Sequence, residues 1–161
     1  MKNSVNTVIK LKLIFIITAI ISVSSFAVNL NDYIDFLPPG YNITQREISE
    51  GGTILETEID KEIPHLFIKL DKNNENYEIH MLRYKNATKL MGFWYDFVNF
   101  YGSGLESAVS AIPYIYGRFN TVYDYKVINS WFNTNEMIIY FVTGTEKSGV
   151  DDLKFKLNKY R

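Results

Sequence analysis

The clearest regularity along the chain is a period of two. His65 to Leu70 and Tyr77 to Tyr84 alternate on either side of the polar stretch Asp71-Lys72-Asn73-Asn74-Glu75-Asn76. Pairing Leu70 with Tyr77 sets Leu66, Ile68 and Leu70 against Met81, Ile79 and Tyr77 on one face. The other face then holds His65, Phe67 and Lys69 against Leu82, His80 and Glu78. Successive strand residues point to opposite faces, so the Leu66 face belongs to a core and the His65 face is turned outward. Upstream, Pro38-Pro39-Gly40 forces an extended approach after a short helical turn over Asn31 to Phe36. Tyr41 to Ser49 and Thr53 to Ile59 flank Glu50-Gly51-Gly52, which predicts a first hairpin with Ile48 facing Ile54, Arg46 facing Glu56 and Ile43 facing Ile59. Two later strands, Val122 to Phe132 and Glu136 to Thr143, meet at Asn133-Thr134-Asn135. Their expected register places Trp131, Val127 and Tyr125 with Met137, Phe141 and Thr143, and Ile128 and Ser130 with Tyr140 and Ile138. Both faces are apolar, which predicts central strands covered on both sides.

The period changes at residues 87–101, ATKLMGFWYDFVNFY. At 100° per residue, Phe93, Phe97, Phe100, Leu90, Tyr101, Trp94, Val98 and Met91 fill one half of a helical wheel. That arc exceeds the roughly 100° stripe of a one-sided surface helix, so this helix is expected to touch more than one surface. Asn86 or Thr88 caps its start and Gly102-Ser103-Gly104 ends it. A further short helix is expected over Leu105 to Ile112, then an irregular aromatic segment from Pro113 to Asn120 with Gly117 as its bend. The last element is a helix, Gly149 to Tyr160, with Ser148 as N-cap, Asp151 and Asp152 near its positive end, and Val150, Leu153, Leu157 and Tyr160 as its buried stripe.

The order ββββ-α(α)-ββ-α predicts an α+β fold with a curved, largely antiparallel sheet and helices packed on it. This element order, with its Pro/Gly-then-aromatic start and its helix after a long hairpin, resembles the PsbP/Mog1-type sandwich. Cystatin-like and NTF2-like curved sheets fit the same order. The resemblance concerns layout and transfers no function.

The start of the chain belongs to a different class of segment. Lys2, Lys10 and Lys12 precede an uncharged run from Leu13 to Val23, followed by Ser24, Ser25, Phe26 and Ala27. This is the three-part pattern of a secretory signal peptide, with cleavage expected after Ala27. Its apolar run is about half the roughly 20 residues of a membrane span, so no stable span is expected after cleavage. A single domain is then expected over residues 28–161, in the periplasm or outside the cell. The 161 residues include 17 Lys+Arg and 18 Asp+Glu. Loss of the three leader lysines leaves a net charge of about −4, no electrostatic basis for nucleic-acid binding. There is no cysteine, so stability in an oxidising compartment must come from packing, supplied by 12 Tyr, 11 Phe and 2 Trp.

The absence of cysteine also excludes thiol nucleophiles, iron–sulfur clusters and thiolate zinc sites. No H-E-x-x-H, G-x-S-x-G or G-x-G-x-x-G is present. Gly144-Thr145-Glu146-Lys147-Ser148-Gly149 has two glycines at the spacing of a phosphate loop, but Val150 and Asp151 stand where such a loop needs Lys and Ser/Thr. A turn and helix cap is the expected reading. No cofactor is expected.

Three surfaces remain. His65 and His80 are expected diagonally on the outward hairpin face, Cβ atoms about 7 Å apart, where with Glu78 they form a candidate metal or acid–base cluster. The aromatic helix and the Pro113–Asn120 segment offer Trp94, Phe97, Tyr101, Tyr114, Tyr116 and Phe119 as candidate partner- or ligand-binding residues, against the alternative that these rings are core. The acidic residues near Glu47–Glu62 and Asp71–Glu78 read as solvated charge protecting sheet edges. The expected function is an exported, non-enzymatic domain binding a protein partner or small apolar ligand. The alternatives are a small hydrolase or metal-dependent enzyme using the His/Glu cluster, and a structural accessory subunit of an envelope complex.

Overall fold

A computed structural model describes residues 28–104 and 107–160. The expected leader and Leu105 and Glu106 lie outside the described residues. The chain enters through a 3-10 turn, Leu30–Tyr33, capped reciprocally by Asn29 and Asp32. It then forms seven strands: β1 Asn42–Ile54, β2 Thr57–Lys72, β3 Glu75–Arg83, β4 Ala108–Ile112, β5 Tyr116–Tyr123, β6 Lys126–Asn133 and β7 Ile138–Gly144. Helix α1, Ala87–Tyr101, sits between β3 and β4, and helix α2, Lys147–Lys159, follows β7. The strands make one antiparallel sheet in the order β1-β2-β3-β7-β6-β5-β4, so the fold is α+β with an open sheet whose edges are β1 and β4.

The sheet is the middle of three layers. β7 is buried along its whole length. Ile138, Tyr140 and Val142 pack with α2 residues Val150, Leu153 and Leu157 on one side, while Ile139 and Phe141 pack with α1 residues Leu90, Trp94, Phe97 and Tyr101 on the other. The expectation that the last two strands lie at the centre, covered on both sides, holds. The wide apolar arc of α1 also has its reason: the helix packs on β5, β6 and β7 and receives the curled β1–β2 arm through Ile54, Ile59 and Ile63.

The β2–β3 register is the expected one, residue for residue, from His65↔Leu82 to Leu70↔Tyr77. The first hairpin differs. Glu50-Gly51-Gly52 is a bulge within β1, and the chain reverses at Leu55-Glu56, with Leu55 at φ +54°. Ile48 therefore faces Leu66, Arg46 faces Ile68 and Ile43 faces Leu70. The expected strand 53–59 is divided between β1 and the 16-residue β2, and 65–70 lies within β2. Pro64 does not interrupt β2 because it stands opposite Glu50, at the bulge, where a missing N–H is tolerated. Gly51 is required there: a Cβ would lie 3.0 Å from the Lys61 Cα, and φ is +70°.

The second half departs further. The expected helix over Leu105 to Ile112 is, in its described part, strand β4, and the expected irregular segment contains β5. In β5, Gly117, Phe119 and Thr121 point inward and Arg118, Asn120 and Val122 outward, an alternation that the flanking turns conceal. Val122 to Phe132 is a hairpin rather than one strand, turning at Asp124 and Tyr125, both at positive φ. The β6–β7 turn falls at Thr134–Met137, three positions later in register than expected. Trp131 consequently faces Tyr140, and Ser130 faces Phe141. α2 begins at Lys147 rather than Gly149; Glu146 occupies the N-cap position without a side-chain cap, and Ser148 bonds the Glu146 carboxylate. Tyr160 is not buried in a stripe but flanks Tyr33 and Phe36 at ring distances of 5.8 and 5.0 Å.

Candidate functional site

The six aromatic candidates divide cleanly. Trp94, Phe97, Tyr101 and Phe119 are fully or almost fully buried. Trp94 donates its indole N–H to Ser130 at 3.2 Å, Phe97 meets Phe141 at 4.7 Å, and the Tyr101 hydroxyl accepts from the Glu56 amide at 3.0 Å. These four rings tie α1 to the sheet and to the β1–β2 turn, and offer no surface to a partner. Tyr114 and Tyr116 are different: Tyr114 is exposed, in the β4–β5 turn at φ +60°, and Tyr116 is half-buried where β5 begins.

Beside them lies a surface that the helical reading of 105–112 concealed. β4 carries Ala108-Val109-Ser110-Ala111-Ile112, and its outer side has no strand partner among the described residues. Val109, Ile112, Tyr114 and Ile115 are 58%, 46%, 62% and 55% exposed. No residue from Ser107 to Gly117 is charged. An edge strand presents free N–H and C=O groups, and natural edges are usually blunted by charge, proline or bulges. Proline appears here only at Pro113, in the turn. The signal in the sequence was this eleven-residue run without charge in a chain that is 22% charged.

The histidine pair is inside the protein. His65 and His80 are 4% and 3% exposed, because the Gly51–Gly52 bulge folds over them; a Cβ at Gly52 would stand 3.0 Å from His65 Nδ1. The rings stack at 5.2 Å with 14° between planes, and His65 Nε2 lies 3.0 Å from His80 Nδ1. His65 Nδ1 is 3.0 Å from the Gly51 carbonyl, which only accepts, so His65 carries its proton there. His65 Nε2 then accepts from His80 Nδ1–H. The remaining nitrogen, His80 Nε2, is buried without a hydrogen bond among the described residues, 3.8 Å from Glu78 Oε2. Burial holds His65 down to about 4, with the neighbouring His80 adding to the effect and the Gly51 bond opposing it. Burial also lowers His80, against the pull of Glu78.

The expected outward-facing cluster of His65, His80 and Glu78 is therefore not formed. Each imidazole spends a nitrogen on the other, and among the described residues no three His, Asp or Glu side chains converge in a metal-sized group. Glu78 Oε2 stands between His80 Nε2, at 3.8 Å, and the Lys126 ammonium, at 3.9 Å. The pair ties the bulge of β1 to β3 through β2.

The glycine pair at 144 and 149 also has a packing reason. A Cβ at either position would collide with the Tyr77 ring, at 2.4 and 2.3 Å respectively. The two glycines make room for Tyr77 between β7 and α2.

No protein-family model matches the chain, and no curated protein matches it in sequence. Among solved structures, it is similar to a GTP-binding regulator from Thermotoga maritima, at 15% identity and a TM-score of 0.56, over 79% of this chain and 85% of that one. At that identity the likeness is one of fold. A weaker likeness, TM-score 0.33 at 10% identity, is to MucB in its complex with MucA; it covers 73% of this chain and about a third, 32%, of MucB.

Proposed function

We propose that this protein is an exported, non-enzymatic domain that binds a protein partner at the β4 edge and the adjoining Tyr114–Tyr116 turn. The observation that carries the reading is the exposed, charge-free strand Ala108–Ile112, bordered by Tyr114 and Ile115. An extended partner segment pairs with such an edge through main-chain hydrogen bonds, and apolar side chains on alternate positions supply selectivity. The rest of the molecule supports a scaffold role: the aromatic rings are consumed by the core, and the two histidines are consumed by each other. Export is read from the Lys-rich start, the Leu13–Val23 run and Ala27.

The test is recovery of the protein from its native cells under crosslinking, beside Val109→Lys and Ile112→Lys variants. The reading expects a crosslinked partner that is lost in both variants while their thermal unfolding is unchanged. A partner retained by both variants removes β4 as the docking strand. N-terminal sequencing of the recovered protein is expected to begin at Val28, and a product beginning at Met1 removes the export reading.

A further inference from the structure

On the α2 side of the sheet, a cleft of about 460 Å³ opens between β5, β6 and the later turns of α2. Its apolar wall is Ile115, Tyr116 and Trp131, with Phe132 bordering it while its ring packs against Trp94 on the other face, and its two charged residues are Arg118 and Lys154. Asparagines complete the polar lining, and no aspartate or glutamate belongs to it. The chain as a whole is slightly acidic, with a formal charge of −1, so a purely cationic cleft runs against the average.

The local geometry explains why the two cations stand together. Arg118 and Trp131 are cross-strand partners, and Trp131 and Tyr140 are partners on the next ladder, so one row of side chains crosses this face. Trp131 stacks on Tyr140 at 5.2 Å with 6° between planes, and the Lys154 ammonium lies 5.4 Å from the indole centroid. Lys154 donates to Asn129 Oδ1 at 3.0 Å, and Asn129 donates to Asp151 at 3.0 Å, so this carboxylate is joined to the ammonium through an amide. Arg118 has no carboxylate within ion-pair distance among the described residues. Burial lowers Lys154, the charge of Arg118 lowers it further, and the charge of Asp151 opposes both without reversing them. The Trp131 indole N–H is an unused donor beside them: it is buried and has no hydrogen-bond partner among the described residues. Buried donors are seldom left in this state.

We infer that this cleft is a binding site for a carboxylate carried on a flat apolar skeleton, held by Arg118 and Lys154 with the skeleton against Tyr116 and Trp131. Guanidinium matches the planar carboxylate with two parallel N–H donors, and the lysine adds a point charge. The cleft volume falls in the range of small-ligand sites. The apolar wall separates this from a simple oxyanion site, which needs no rings. The cleft shares Ile115 and Tyr116 with the turn beside β4, whereas Arg118, Trp131 and Lys154, which define the site, lie on β5, β6 and α2.

The chain has two tryptophans, Trp94 and Trp131, so its ¹H–¹⁵N spectrum has two indole cross-peaks, assigned with Trp131→Phe. Titration with benzoate is expected to move the Trp131 peak saturably, with a dissociation constant on the order of 1 mM, and to leave the Trp94 peak in place. Arg118→Ala and Lys154→Ala are each expected to weaken binding about tenfold, with the unmoved Trp94 peak reporting an intact fold. Neutral benzamide is expected to leave the Trp131 peak unmoved. A Trp131 peak indifferent to benzoate, or moved as far by benzamide, overturns the site. Inorganic phosphate acting as well as benzoate overturns the apolar part of the assignment. N-acetyl-Ala-Phe binding more tightly than benzoate assigns the carboxylate to a peptide C-terminus, and the reverse order assigns it to a small free acid.

Discussion

The two edges of the sheet solve the same problem differently. β1 is 13 residues long, carries Arg46, Glu47 and Glu50, and is interrupted by irregularities between Ile43 and Gln45 and between Glu50 and Gly52. It is also bound into the molecule: Arg46 donates to the Phe36 carbonyl at 2.7 Å, and the bulge carbonyl of Gly51 meets His65. β4 has five residues, no charge and no bulge in its register with β5. Charge and irregular backbone make β1 a poor template for another strand, whereas only shortness restrains β4. The contrast teaches that exposure of apolar residues is informative when the same molecule shows how it protects an edge elsewhere.

The largest expected effect is on the support of the open edge. Phe119 anchors β5 beneath α1, with its ring 6.3 Å from Phe97, and β5 is the strand partner of β4 among the described residues. Phe119→Ala is expected to cost about 3–5 kcal/mol, measured as a lower urea midpoint. If β4 and β5 instead fold independently of the core, the loss falls well below that.

The protected edge is tested by pH. His65 has its ordinary value near 6.5 when unfolded and about 4 when folded, so the unfolded chain binds more protons between these values. Stability is then complete above about pH 6.5 and declines as pH falls toward 4, by up to about 3 kcal/mol. His65→Gln is expected to flatten the unfolding-midpoint profile in this window. A wild-type midpoint constant from pH 7 to 4 removes the buried neutral pair.

Next in size is Arg46→Ala, which removes a charge-assisted bond to the Phe36 carbonyl and is expected to cost about 1–2 kcal/mol in equilibrium unfolding. Smallest is Ile112→Lys on the free edge, expected to shift stability by less than about 0.5 kcal/mol. A much larger loss there would mean that β4 is part of the core, and the comparison of edges would fail.

Much of the architecture was legible because it repeats a simple period. The β2–β3 register followed from alternation over six pairs, to which the structure adds Asp71↔Asn76 and Lys72↔Glu75, and the extent of α1 followed from its apolar arc and Asn86. The readings that differed share a cause: Gly51-Gly52 has the composition of a turn whether it reverses the chain or bends it, and Ala108–Ile112 fits two periods equally because five small and branched residues are too few to separate them. The candidate site divided in the same way. That Trp94, Phe97, Tyr101 and Phe119 are core was open as an alternative from residue type, whereas the meeting of Arg118, Lys154 and Trp131 was not, since they come from two neighbouring strands and a helix far along the chain.

By itself the sequence determined the α+β class, the central buried hairpin, the aromatic core in place of disulfides and the absence of common catalytic signatures. These depend on residue type and local period, which the chain carries wherever it folds. Only the tertiary structure decided that two histidines face each other beneath a glycine bulge, that residues 108–112 form an open edge, and that two cations share a cleft without a carboxylate. Each of those depends on which distant segments approach, and a single sequence encodes that approach only through the packing of the whole.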